Sequence, residues 1–139
     1  MDKLTYIHQD YANGKWARLP LTLQMGNIGS EISRALNWQK KAKKKYQDAA
    51  IDRALELFDL TIACHANSPS KEKEICRARE EFCEYFFGTN DLEIDKKAML
   101  NYYDQFALMN SWTPPAPPKP AGIRFRIYIL EVTIGAMVY

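Results

Sequence analysis

Five of the seven prolines stand between Thr113 and Pro120, so the chain before them is cut by proline only at Pro20 and Pro69. Proline ends or kinks a helix, and a run of prolines favours extended polyproline II. Between these cuts apolar residues recur at three- and four-residue steps, the spacing of one helix face. Beyond Pro120 the pattern changes to β-branched and aromatic residues, as in Ile123-Arg124-Phe125-Arg126-Ile127-Tyr128-Ile129. The sequence therefore predicts an N-terminal arm over 1–19, a helical body over 20–112, a stiff proline-rich linker over 113–122 and a hydrophobic tail over 123–139.

A chain of 139 residues, 47% hydrophobic and 26% charged, can bury a core without metals or disulfides and is not composed like a disordered protein. Its net charge of +2 is too small to imply nucleic-acid binding, so any such case rests on where the charges sit. The three cysteines, Cys64, Cys76 and Cys83, include no CxxC pair. That argues against a disulfide framework or a zinc site and suits a reducing cytoplasm. Polar residues after Met1-Asp2-Lys3 predict no secretory leader. Arg124, Arg126 and Glu131 interrupt the tail, which falls short of a membrane span. The expected location is cytoplasmic, with no membrane partner.

Four helices are predicted. The first opens at Pro20 and runs to about Gln39, with Leu21, Met25, Ile28, Ile32 and Leu36 on one face. The second covers roughly Tyr46 to Ala66, with Ala50, Ala54, Leu57, Phe58, Thr61 and Ile62 inward. After the break Asn67-Ser68-Pro69-Ser70, Ser70 is expected to cap a third helix carrying Ile75, Ala78, Phe82, Tyr85 and Phe86, with Gly88 at its end. Thr89-Asn90-Asp91 is expected to cap a fourth, with Leu92, Ala98, Met99, Tyr102, Tyr103, Phe106 and Met109. Short connections between amphipathic helices predict an all-α, antiparallel four-helix bundle. The first eighteen residues read as irregular, with Tyr6, Ile7, Tyr11 and Trp16 against the body.

Gly26-Asn27-Ile28-Gly29-Ser30 sits inside the first helix, where each glycine costs about 0.8–1 kcal/mol against alanine. A phosphate loop would need a strand before it, and none is evident. Gly26, Gly29 and Ser30 are therefore expected to form a small-residue patch for close helix packing. The best candidate binding surface is Lys40, Lys41, Lys43, Lys44 and Lys45 with Arg34, joined by Lys15 and Arg18 if the fold brings them near. Clustered ammonium groups attract phosphates and release counterions on contact. The plainer reading is a solvated helix end.

His8 and His65 lack companions for a metal site. Glu31, Asp52, Glu56 and Asp59 could point inward, but a di-metal carboxylate bundle needs Glu-x-x-His pairs, which are missing. No cofactor is expected. Alternation in the tail puts Phe125, Ile127 and Ile129 on one face of a strand-like segment. A lone strand needs another edge for its hydrogen bonds, so strand addition to a partner or a second copy is one reading. A helix lying on the bundle, a disordered end and an extension without selected structure are the others.

The stretches Trp16-Ala17-Arg18-Leu19-Pro20-Leu21, Gly26 to Ala35, Arg53 to Ile62 and Lys73 to Glu80 resemble a group of small uncharacterised prokaryotic four-helix-bundle proteins, over about residues 16–110. More remotely the architecture is similar to the accessory bundle proteins of diversity-generating retroelements and to small bundles that accompany nucleotidyltransferases. The resemblance to the retroelement proteins implies oligomers that bind a reverse transcriptase and its RNA. Ribonuclease relatives of the second group carry an arginine a few residues before a histidine. Neither His8 nor His65 has one at that distance, which argues against nuclease chemistry.

The expected function is thus a non-enzymatic interaction or accessory protein, a homo-oligomer whose lysine-rich helix end meets RNA, DNA or a nucleic-acid-processing protein. Two alternatives stay open: a structural subunit that self-associates through its C-terminal tail, and a hydrolase using carboxylates and His65.

Overall fold

Pro20 fixes where the first long helix begins: its φ of −64° and ψ of 153° hold the chain extended, and α1 follows as Leu21–Lys40. In the computed structural model, which describes residues 6–89, 91 and 93–111, three more long helices follow. These are α2 (Lys44–Cys64), α3 (Pro69–Phe87) and α4 (Lys96–Ser111). Among the described residues there is no strand. The expected linker over 113–122 and the tail with Phe125, Ile127 and Ile129 lie outside the described residues, as does Leu92.

The apolar stripes meet in one core. Met25, Ile28, Ile32, Ala35 and Leu36 come from α1, and Ala50, Ile51, Ala54, Leu57 and Phe58 from α2. Ile75, Ala78 and Phe82 come from α3, and Met99, Tyr103 and Phe106 from α4. Phe58 and Phe82 join α2 to α3 with ring centroids 5.6 Å apart. Each such side chain contributes roughly 1.5–3 kcal/mol by leaving water. Ala98, expected inside, is exposed.

Residues 6–19 are more ordered than an irregular arm. Tyr11–Lys15 forms a wide π turn and Trp16–Arg18 a 3₁₀ turn. Gly14 breaks the first turn at φ 109°, a conformation a side chain would strain. This route drives Trp16 into the core with no exposed surface. Its indole Nε1–H donates to Thr61 Oγ1 at 2.9 Å, and Thr61 donates in turn to Leu57 O. Gln24 Nε2 donates to the Trp16 carbonyl, and His65 Nε2 lies 2.8 Å from Gln24 Oε1. Nearer the start, the Ile7 and His8 N–H groups donate to the Glu56 carboxylate at 2.7 and 2.6 Å.

Caps explain the remaining boundaries. Pro69 stands in the first turn of α3, where its missing N–H costs nothing, so Ser68 rather than Ser70 holds the cap position. Asp95, not the Thr89–Asp91 cluster, caps α4 by accepting from the N–H groups of Lys97 and Ala98. Gly88 ends α3 in extended backbone instead of the left-handed turn its type suggests. Its bare Cα leaves room for the Glu84 carboxylate, which also accepts from Asp91 N–H at 3.2 Å.

The end of α1 is a Schellman turn: Lys43 N–H donates to Trp38 O and Ala42 N–H to Gln39 O, with Ala42 at φ 55°. Glycine is the usual residue there, and alanine carries the steric cost of the left-handed region. Ala42→Gly is therefore expected to raise stability by about 1 kcal/mol, read as a higher urea midpoint at unchanged slope.

Candidate nucleic-acid interface

The α1–α2 turn gathers Lys40, Lys41, Lys43, Lys44 and Lys45 within six positions, and all five are exposed. Two are engaged locally. Lys44 Nζ pairs with Asp48 at 2.9 Å, and Lys41 Nζ lies 5.3 Å from the centre of the Trp38 ring. Trp38 in the last turn of α1 stacks on Tyr46 in the first turns of α2, with centroids 4.9 Å apart and planes 29° from parallel. Tyr46 nevertheless keeps 55% of its surface open.

The charges are not placed where helix electrostatics alone would put them. Lys40 suits the negative end of α1, but Lys43, Lys44 and Lys45 crowd the positive end of α2. No acidic residue occupies the first turn of α2, and Lys43 at its cap makes no side-chain bond to it. The first turn of that helix thus carries cations and no acidic side chain.

Arg34 sits apart from this arrangement. Its guanidinium donates to Glu31 Oε1 at 2.7 Å, while Arg53 donates to the other oxygen at 3.0 Å. Glu31 is buried, so these partners are what keep its charge tolerable inside. Lys15 and Arg18 lie by Trp16, which bonds to Thr61 and Gln24 near the far ends of α1 and α2. The helix rise of 1.5 Å per residue separates them from Lys40 by most of the length of α1. They do not join the cluster. The register between α1 and α4, with Gly29 against Tyr103 and Thr22 bonded to Asn110, instead brings Lys96 and Lys97 level with the last turns of α1.

Gly26, Gly29 and Ser30 face different surroundings. A Cβ at Gly29 would lie 2.5 Å from the Tyr103 Cβ, so α1 and α4 touch there through bare backbone. At Gly26 the nearest atom is the Asn110 amide at 3.1 Å, and Ser30 is exposed with its hydroxyl donating to Gly26 O. The tail residues Phe125, Ile127 and Ile129 fall outside the described residues.

The acids considered for chemistry all have structural partners or open positions. Glu56 holds Ile7 and His8; burial works against its charge, but the two N–H groups and His8 outweigh it and keep the carboxyl below its ordinary range. Asp59 pairs with Arg79, and Asp52 is exposed. On the other side of the core, Glu74 accepts from Arg77 and from the Tyr102 hydroxyl at 3.1 Å. The Arg77 bond, against the effect of burial, holds Glu74 below the usual carboxylate range. His65 is pushed below its ordinary value by burial and then by Lys71. Among the described residues no three His, Cys, Asp or Glu side chains converge as a metal site would, and no helix is long and apolar enough to cross a membrane.

No protein-family model, curated protein or solved structure matches this chain. What stands of the resemblance read from the sequence is a small all-helical domain. Trp38, Tyr46, Lys96 and Lys97 are the residues that sequence reasoning missed. A lysine run flanked by two aromatics eight positions apart was the available signal, but it acquires meaning only when the turn folds the two rings together.

Proposed function

We propose that this chain is a non-enzymatic nucleic-acid-binding accessory protein, an antiparallel four-helix bundle that meets the phosphate backbone with its α1–α2 end. Opposed numbering supports the topology: Glu31 pairs with Arg53 and Gln24 with His65 across α1 and α2, and Asp59 pairs with Arg79 across α2 and α3. The observation that carries the function is the placement of Lys43, Lys44 and Lys45 on the uncapped, positive end of α2. Like charge there costs a helix about 0.3–1 kcal/mol per residue. Asp48 compensates only Lys44, and a local rule broken at Lys43 and Lys45 is what a binding site produces, because the ligand supplies the missing anion. The likeness to retroelement accessory bundles points the same way, as an analogy of architecture.

Two variants test this. Reversing three exposed lysines, Lys40→Glu, Lys43→Glu and Lys45→Glu, is expected to abolish binding of a short DNA or RNA oligonucleotide at low salt. Unchanged affinity would overturn the proposal. Lys43→Asp separates structure from function: it supplies the missing cap and is expected to stabilise the fold by about 1 kcal/mol. The same change is expected to weaken oligonucleotide binding and lower the log–log salt slope by about one or more. A stabilised protein that binds as tightly as before would show that the lysine serves no ligand.

A further inference from the structure

The turn contains more than charge. If phosphate attraction were its whole purpose, the two large rings at Trp38 and Tyr46 would have no reason to stand outside the core among five lysines. Neither ring belongs to the buried set, and Tyr46 is among the most exposed large hydrophobic side chains of the described residues. The stack sets the Trp38 ring against Tyr46, and more than half of the Tyr46 surface stays open to solvent. Lys41 Nζ lies over Trp38, which adds positive charge to the same stack. Lys43, Lys44 and Lys45 immediately precede Tyr46 in the chain and are all exposed, so the ring stands in a strongly cationic turn.

We infer that this turn recognises single-stranded nucleic acid, with an unpaired base stacking on the open surface of Tyr46 and the neighbouring phosphates held by the lysines. The inference rests on the reading of the turn as a nucleic-acid contact and names the form of nucleic acid it takes. The physical reason is access. In a duplex the base faces are covered by their neighbours, so only phosphates and groove edges can reach an aromatic ring on a protein surface. A single strand can present a base face, and stacking on an aromatic side chain tolerates any base because every base has a π face. Pre-stacking by Trp38 matters for the same reason. It fixes the Tyr46 ring before the ligand arrives, so less side-chain freedom is lost on binding.

The experiment compares three probes on the full chain at low salt: a fluorescent oligo-dT, a mixed-sequence duplex of equal length, and heparin as a polyanion without bases. Wild-type protein is expected to bind the single strand about tenfold or more tighter than the duplex, the order of one stacked base. Tyr46→Leu keeps apolar bulk and helix propensity at an exposed position but removes the ring. It is expected to erase that preference while leaving duplex and heparin affinity within about twofold. Helical circular dichroism of the variant reports that it folds. Equal binding of single strand and duplex by the wild type, or a preference that survives Tyr46→Leu, overturns the inference and leaves the nucleic-acid reading standing. Binding of heparin alone, or of none of the three, overturns both.

Discussion

Replacing Trp16 with alanine is expected to lower the unfolding free energy by about 3–5 kcal/mol, a large share of what a domain of this size holds. The indole is fully buried, and its removal leaves a cavity in the core beside Tyr11 and Thr61 that close packing around it cannot easily fill. It also takes away the donor to Thr61 and loosens the segment whose carbonyl accepts from Gln24. Trp16→Phe keeps most of the ring but not the N–H, and its cost is expected to be smaller, on the order of 1–2 kcal/mol. Urea titration followed by far-ultraviolet circular dichroism measures both. A loss under about 1 kcal/mol for Trp16→Ala would mean the N-terminal segment does not belong to the core.

Alanine at Gly29 is the second large effect, and its sign opposes helix propensity. Alanine favours a helix interior by about 0.8–1 kcal/mol over glycine. At Gly29, however, the new methyl would meet the Tyr103 Cβ, an atom fixed to the backbone of α4. The helices must part to admit it, and overpacking of this kind costs about 1–3 kcal/mol. Gly26→Ala is the internal control. Its neighbour is the end of the Asn110 side chain, which can swing away at the loss of its bond to Thr22 O. Gly26→Ala is expected to be neutral or slightly stabilising, and Gly29→Ala to destabilise clearly. Equal effects would contradict the close approach of α1 to α4.

What was legible in the sequence was whatever a single helix can announce by itself. The stripe Met25, Ile28, Ile32, Leu36 has helical period and is buried in the structure. Less was legible where several caps compete. Thr89, Asn90 and Asp91 look as suitable as Asp95 for starting a helix, and only the folded chain shows Asp95 taking the N–H groups of α4. Trp16 is expected against the body, but its full burial in the core was not legible, for a different reason. Its segment advances through a π turn and a 3₁₀ turn broken at Gly14, so it carries no 3.6-residue period, and its polar partner Thr61 lies on α2. The Trp38–Tyr46 stack was hidden likewise, because periodicity within one helix cannot register a contact made across a turn. Arg34 belonged to the lysine cluster by sequence proximity, yet a buried carboxylate three positions earlier holds its guanidinium.

One experiment reaches the centre of the account: a titration of the isotope-labelled protein with oligo-dT, followed through its backbone amide resonances. Shifts are expected to concentrate at Trp38 to Tyr46, with smaller ones at Lys96 and Lys97, while Trp16, Thr61 and His65 stay unmoved at the opposite end. Shifts centred on that opposite end, or none at all at saturating oligonucleotide, would contradict the assignment of the α1–α2 turn as the binding end.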